Sequence, residues 1–210
     1  MPEPSPFVRP DLRDADAYVP GLTVEEIKLR HGLSRVIKLA SNENPLGTSP
    51  LVQKALERGA PWAFRYPANG NPRLVAALAE RLGADAGRIV CGNGSDEIID
   101  LLLRTCAVPG RSNVLCYEGE FSMYRLTARL CGVEYRRVPR AKGHAIPLDA
   151  LVAAADQDTA VVFVTSPDNP TGLACTAREL ADAARRLPPA TLLAVDEAYV
   201  DFARPREEHD

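Results

Sequence analysis

Apolar positions along this chain follow two alternating rhythms. From about residue 46 onward, short β-branched or aliphatic runs alternate with stretches in which apolar residues recur every three or four positions. The runs Arg88–Cys91, Asn113–Tyr117, Val133–Val138, Ala160–Thr165 and Leu192–Val195 are each bounded by Gly, Pro, Ser, Asn or Asp, and read as strands. Leu74, Val75, Leu78 and Leu82 share a helical face, opened by Asn71-Pro72 and closed by Gly83, where a left-handed C-cap is wanted. Ser49-Pro50 opens an earlier helix in the same way. Thr176 to Glu179 forms a capping box ahead of Leu180, Ala183, Ala184 and Leu187. The helix after Ser95 carries Ile98, Ile99, Leu101, Leu102 and Leu103, apolar nearly all round, and is predicted to be the most buried. Such alternation predicts an α/β fold with a mostly parallel sheet of at least five strands, preceded by an extended, proline-bearing arm to about Pro45.

Composition narrows the classes of function. Among 210 residues, 25 Lys and Arg face 28 Asp and Glu, a net charge of −3, which argues against a charge-driven nucleic-acid binder. With 46% hydrophobic and 25% charged residues the chain has a core to bury, and is neither a disordered tail nor a collagen nor a coiled-coil rod. Five cysteines, odd in number and without a CxxC pair, favour a reducing compartment and disfavour zinc. His31, His144 and His209 are scattered, unlike metal ligands. No signal peptide or membrane span is expected, because Met1 to Asp11 lacks an apolar stretch and the apolar runs are only a few residues long. A cytoplasmic protein is the expectation.

In an open parallel sheet, ligands sit outside the carboxyl ends of the strands, so the loops after strands are where chemistry is sought. Gly92-Asn93-Gly94-Ser95-Asp96-Glu97 leads from a predicted strand into a helix; it is either an anion site built from helix N-terminal amides or a tight turn with Ser95 as an ordinary N-cap. It lacks the dinucleotide GxGxxG spacing. In Ser166-Pro167-Asp168-Asn169-Pro170-Thr171-Gly172, two prolines flank an asparagine, which suits a pre-set polar ligand contact or a simple turn. In Val195-Asp196-Glu197-Ala198-Tyr199 a buried strand ends in two carboxylates and a phenol; the acids need partners, either a structural salt bridge or a cationic group of a ligand. Together, an anion cradle, a fixed amide and a carboxylate near a phenol match pyridoxal phosphate. That cofactor has a phosphate, a phenolic oxygen and a basic ring nitrogen.

On these residues the chain resembles the fold-type I, pyridoxal-phosphate-dependent aminotransferases and, within them, the histidinol-phosphate aminotransferases. The likeness runs in order through Tyr18-Val19-Pro20-Gly21, Lys38 to Gly47, Arg65-Tyr66-Pro67, Gly92 to Glu97, Ser166 to Gly172 and Asp196 to Tyr199. It implies a three-layer αβα large domain over residues 47–210, incomplete at its C-terminus, with residues 1–46 as an N-terminal arm and small-domain segment. It further implies that Gly94, Ser95 and Asp96 hold the cofactor phosphate, that Phe121 stacks on the pyridine ring, that Asn169 and Tyr199 bind the ring oxygen, and that Asp196 pairs with the ring nitrogen. Many relatives have Tyr where this chain has Phe121, a change that keeps the stacking and drops a hydroxyl. Tyr66 would reach the cofactor phosphate of a neighbouring subunit, implying a homodimer with shared sites. Tyr18 would lie near the substrate phosphate, and Asn42 and Asn44 near its reacting end. Packing roles are the alternative for Tyr18 and Tyr66.

The implied activity is transamination between L-histidinol phosphate and 2-oxoglutarate, in histidine biosynthesis. The Schiff-base lysine of such enzymes is expected beyond Asp210, so no catalytic lysine is assigned here, and the chain reads as the N-terminal part of an aminotransferase that is inactive and poorly soluble alone. Alternatives are a sister enzyme acting on aromatic amino acids or threonine phosphate, an inactive cofactor-binding or dimerising module, and a nucleotide-binding α/β protein using Gly92 to Ser95. The last leaves the Asn169 and Asp196 loops unexplained.

Overall fold

The computed structural model describes residues 7–13, 21–140 and 142–203. Two compact units emerge: Val19–Cys91, and Met1–Tyr18 together with Gly92–Asp210. Among the described residues the first holds three α-helices, α1 (Val24–His31), α2 (Pro50–Gly59) and α3 (Pro72–Leu82). Thr23 begins α1 with a full capping box to Glu26, and Gly32 ends it in the left-handed conformation. Pro50 and Pro72 occupy first-turn positions, as expected, and Gly83 closes α3 at φ +61. The cap residues behave differently from the expectation: neither Ser49 nor Asn71 caps with its side chain, and Asn71 sits at φ +49, a conformation that Asn tolerates better than most residues.

The second unit contains α4 (Ser95–Cys106), β1 (Asn113–Tyr117), α5 (Ser122–Leu130), β2 (Glu134–Val138), α6 (Leu148–Ala154), β3 (Thr159–Thr165), α7 (Ala177–Arg186) and β4 (Leu192–Asp196). The strands form one parallel sheet in the order β2-β1-β3-β4. Every residue of β1 and β3 is buried, whereas β2 and β4 at the edges are partly exposed. Burial on both faces explains why Val161 to Val164 is an unbroken apolar run rather than an alternating one. Each such side chain contributes about 1.5–3 kcal/mol of burial. α4 packs on β3 and α5, while α6 packs on β1, β2 and α7, completing the helix layers. Segment Phe7–Arg13 is tied to the end of α5, with Arg9 donating to the Leu130 carbonyl and Arg129 to that of Asp11.

Three expectations are corrected. Arg88–Cys91 is not a strand: Ala86–Arg88 is a 3-10 turn, Val90 is mostly exposed, and among the described residues the sheet has four strands rather than five. The run is apolar enough for a strand but pairs with none among the described residues. α4 is not the most buried helix, because only Ile99 and Leu103, four residues apart, are buried, whereas α5 buries Tyr124, Thr127 and Ala128. Leu101 faces outward, so α4 is an ordinary amphipathic helix.

The strand order sets where a ligand belongs. From β1 the chain steps outward to β2, then returns to place β3 on the other side of β1. That reversal opens a crevice at the carboxyl ends of β1 and β3. α4, which precedes β1, is about 18 Å long, close to the length of a strand.

Candidate functional site

Four segments of this unit supply candidate groups, three of them at or after the carboxyl ends of strands. The first is the start of α4. Gly94, not Ser95, is the N-cap, with φ +82 and ψ 178, a region essentially reserved for glycine. A glycine cap has no side chain to bond the first-turn amides, and Ser95 and Asp96 are exposed. Glu97 turns back to accept from the backbone and side-chain N–H of Asn93, which fixes the loop. Asp96 suits a helix N-terminus, where its charge meets the positive end of the dipole.

After β1 comes Phe121, half-buried and edge-on to Tyr124 at 5.8 Å and 87°. Tyr124 in turn stacks on Phe163 of β3 at 4.4 Å and 7°. Its hydroxyl donates to Asp196 Oδ2 at 2.7 Å and lies 3.0 Å from Thr165 Oγ1. Burial, above all, raises the Tyr124 pKa, so the phenol stays protonated and remains a donor.

Asp196 ends β4 half-buried, and its other oxygen, Oδ1, accepts the Ala198 N–H at 3.1 Å. Both oxygens therefore take neutral donors, and among the described residues no cation pairs with the carboxylate. The structural salt bridge left open above is not found there. A carboxylate held this way is free to accept a cationic hydrogen-bond donor from a ligand.

The loop after β3 holds Asn169 exposed, between cis peptide bonds at Ser166-Pro167 and Asn169-Pro170. Asn169 Nδ2 donates to Tyr199 Oη at 3.4 Å, so the amide and the phenol converge. Beneath Asn169 lies a buried network that the sequence reading missed. Asp168, 3% exposed, accepts from Arg140 Nη2 at 3.0 Å, from Tyr117 Oη at 2.9 Å and from Thr171 Oγ1 at 2.5 Å. Burial pushes the Asp168 pKa up, but these three donors outweigh it and hold the carboxyl below its usual range. Arg140 also stacks on the Tyr117 ring at 4.7 Å.

The structure thus brings Asn169 and Tyr199 together, links Phe121 to Asp196 through Tyr124, and gathers these residues with Gly94, Ser95 and Asp96 in one unit. Asn42, Asn44 and Tyr66 lie in the other unit. There Asn44 Oδ1 accepts from Leu46 N–H at 3.0 Å, Asn42 has φ +50, and Tyr66 is fully exposed. Tyr18 lies outside the described residues. Asp168 had a readable signal, an acid in the loop after a buried strand, close to the logic that singled out Asp196 at a strand's end. Arg140 had none, since its partner is 28 residues away.

Comparison with known proteins adds a family to this geometry. Residues 34–209 match the family described as aminotransferase class I and II. A histidinol-phosphate aminotransferase of Oleidesulfovibrio alaskensis is 54% identical over 203 residues, covering 97% of this chain and 53% of that protein. One from Nitratidesulfovibrio vulgaris is 50% identical over 202 residues, covering 96% and 54%. The crystal structure of histidinol-phosphate aminotransferase from Sinorhizobium meliloti in complex with pyridoxal-5'-phosphate matches with a TM-score of 0.85 at 27% identity, over 98% of this chain and 54% of that one. The chain spans about half the length of these relatives.

Proposed function

Because the chain belongs to the class I and II aminotransferase family, we propose that it forms the cofactor-holding part of a cytoplasmic enzyme that exchanges an amino group between L-histidinol phosphate and 2-oxoglutarate in histidine biosynthesis. The cofactor is pyridoxal 5'-phosphate. The observation that carries this reading is an Asp196 carboxylate at the end of β4, without a cation among the described residues, together with the converging Asn169 amide and Tyr199 phenol in loops that follow strands. These donors and this acceptor fit the chemistry of the cofactor's ring oxygen and ring nitrogen.

In this reading Asp196 accepts the proton-bearing ring nitrogen, Asn169 and Tyr199 donate to the ring oxygen, and Phe121 covers a ring face. The first-turn amides of α4, with Gly94, Ser95 and Asp96, take the phosphate. When bound, the cofactor supplies an electron sink for a carbanion at the substrate α-carbon. Tyr124 keeps Asp196 oriented and, staying protonated, does not compete for the ring proton. Tyr66, fully exposed, reaches the cofactor phosphate of the second subunit in a homodimer. Asn42, Asn44 and Tyr18 contact the phosphorylated substrate. No residue between 1 and 210 is assigned as the Schiff-base lysine. The substrate assignment rests on the two relatives at 50% identity or more over nearly the whole chain.

The test uses the protein at its full natural length, assayed in parallel for transamination of histidinol phosphate and of an aromatic amino acid with 2-oxoglutarate as acceptor, and for decarboxylation of threonine phosphate. The expected result is a kcat/KM highest for histidinol phosphate and abolished by Asp196→Ala. A preference for either other substrate, or activity indifferent to Asp196, overturns the proposal.

A further inference from the structure

We propose that Arg140 is a positioning residue that clamps the loop carrying Phe121 to the loop carrying Asn169, so that both present their groups to one ligand. This rests on the cofactor reading above and deepens it. Arg140 follows the edge strand β2, and its side chain is only 12% exposed. It reaches in three directions. Nε donates to the Glu118 carbonyl at 2.8 Å, at the start of the turn leading to Phe121. Nη1 donates to the His144 carbonyl at 3.1 Å, within its own loop. Nη2 pairs with Asp168 at 3.0 Å, immediately before Asn169.

Asp168 is fixed at every polar group it has. Beyond its three side-chain donors, its N–H donates to the Leu173 carbonyl at 2.7 Å and its own carbonyl accepts from Gly172 N–H at 2.7 Å. The neighbouring Asn169 stays exposed, so the buried ion pair spends its bonds on the backbone and leaves the amide free to face outward. A guanidinium is the side chain that can do this, because its planar fork serves several acceptors at once. Arg140 makes no comparable link to Asp196, which Tyr124 and Ala198 hold independently.

The geometry therefore assigns a coupling pattern: Arg140 is coupled to Asn169 and Phe121, and uncoupled from Asp196. The measurement is a double-mutant cycle on pyridoxal phosphate affinity, in the full-length protein. Arg140→Ala and Asn169→Ala are each expected to weaken binding about tenfold, and the double variant to be within about twofold of either single one. Asp196→Ala is expected to multiply its own effect fully in the Arg140→Ala background. Arg140→Lys keeps the buried charge opposite Asp168 but loses the fork, so it is expected to show the same coupling with little change in melting temperature. The bound cofactor's absorbance gives a second readout. Donors to the ring oxygen stabilise its anionic form and lower the pH midpoint of that absorbance, so Arg140→Lys and Asn169→Ala both raise it. Additive effects of Arg140 and Asn169, or an unmoved midpoint in Arg140→Lys, overturn the clamp while leaving the cofactor reading intact. Failure of the wild-type protein to bind pyridoxal phosphate overturns both.

Discussion

The two ends of one sheet solve the same problem in opposite ways. At the amino end, the side chain of Asn113 is fully buried and bonded at both ends: Nδ2 donates to Asp156 Oδ1 at 2.9 Å, and Thr159 Oγ1 donates to its oxygen at 2.9 Å. Asp156 closes the circuit by accepting from Asp158 N–H at 3.0 Å and from Arg136 Nη1 at 2.6 Å. Its ion pair with Arg136 is solvent-facing, and Asn113, Thr159 and Asp156 bond to one another. At the carboxyl end the order is inverted. The ion pair, Arg140 with Asp168, is buried beneath the exposed Asn169, which meets Tyr199, while Asp196 is held separately by Tyr124 and Ala198. A network that closes on itself serves the fold, and one that ends in exposed, oriented donors and acceptors serves a ligand.

Substitutions sharpen that contrast. The largest effect is expected for Asp168→Ala, which leaves the Arg140 guanidinium buried without its counter-ion and the Tyr117 hydroxyl with only its longer bond to the Thr165 carbonyl, at 3.3 Å. Chemical denaturation is expected to show a loss of about 3–5 kcal/mol. Next comes Tyr124→Phe, which removes one hydroxyl from between Thr165 and Asp196 and is expected to cost about 1–3 kcal/mol. It should also weaken pyridoxal phosphate binding, because Asp196 loses the donor that orients it; unchanged affinity by titration would separate Tyr124 from the site.

Acid provides a milder probe. The Asp168 carboxyl is held below its usual range when folded, so on acidification the unfolded chain takes up the proton first. The stability it contributes is present above about pH 4, near the unfolded value, and is lost as pH falls below it. The stability difference between wild type and Asp168→Asn is therefore expected to shrink below that pH in parallel denaturation series. The smallest effect is expected for Asp156→Asn at the other end, which keeps the oxygen that Asn113 and Thr159 use and exposes no buried charge. Cofactor affinity should not change, and a clear loss would mean that the two ends are not independent.

How legible this was in the sequence differs by interaction range. The continuous apolar run of β3, the Thr176 to Glu179 capping box and the left-handed Gly83 are local signals, and each holds in the structure. Arg88–Cys91 has equal apolar character but no partner strand among the described residues, which local composition does not reveal. The site divides likewise. Asn169 and Tyr199, each flagged by its position after a strand, lie within hydrogen-bond distance of one another. The supports beneath them, Tyr117 to Asp168 across 51 residues and Tyr124 to Asp196 across 72, follow from sheet register and are not local properties of the chain.

The central claim, that the carboxyl end of this sheet is a pyridoxal phosphate site, is tested most directly by a crystal structure of the full-length protein with the cofactor bound. The account predicts the ring nitrogen within hydrogen-bond distance of Asp196, the ring oxygen facing Asn169 and Tyr199, and the phosphate at the start of α4. A cofactor seated elsewhere, or one with its ring nitrogen turned away from Asp196, would contradict it.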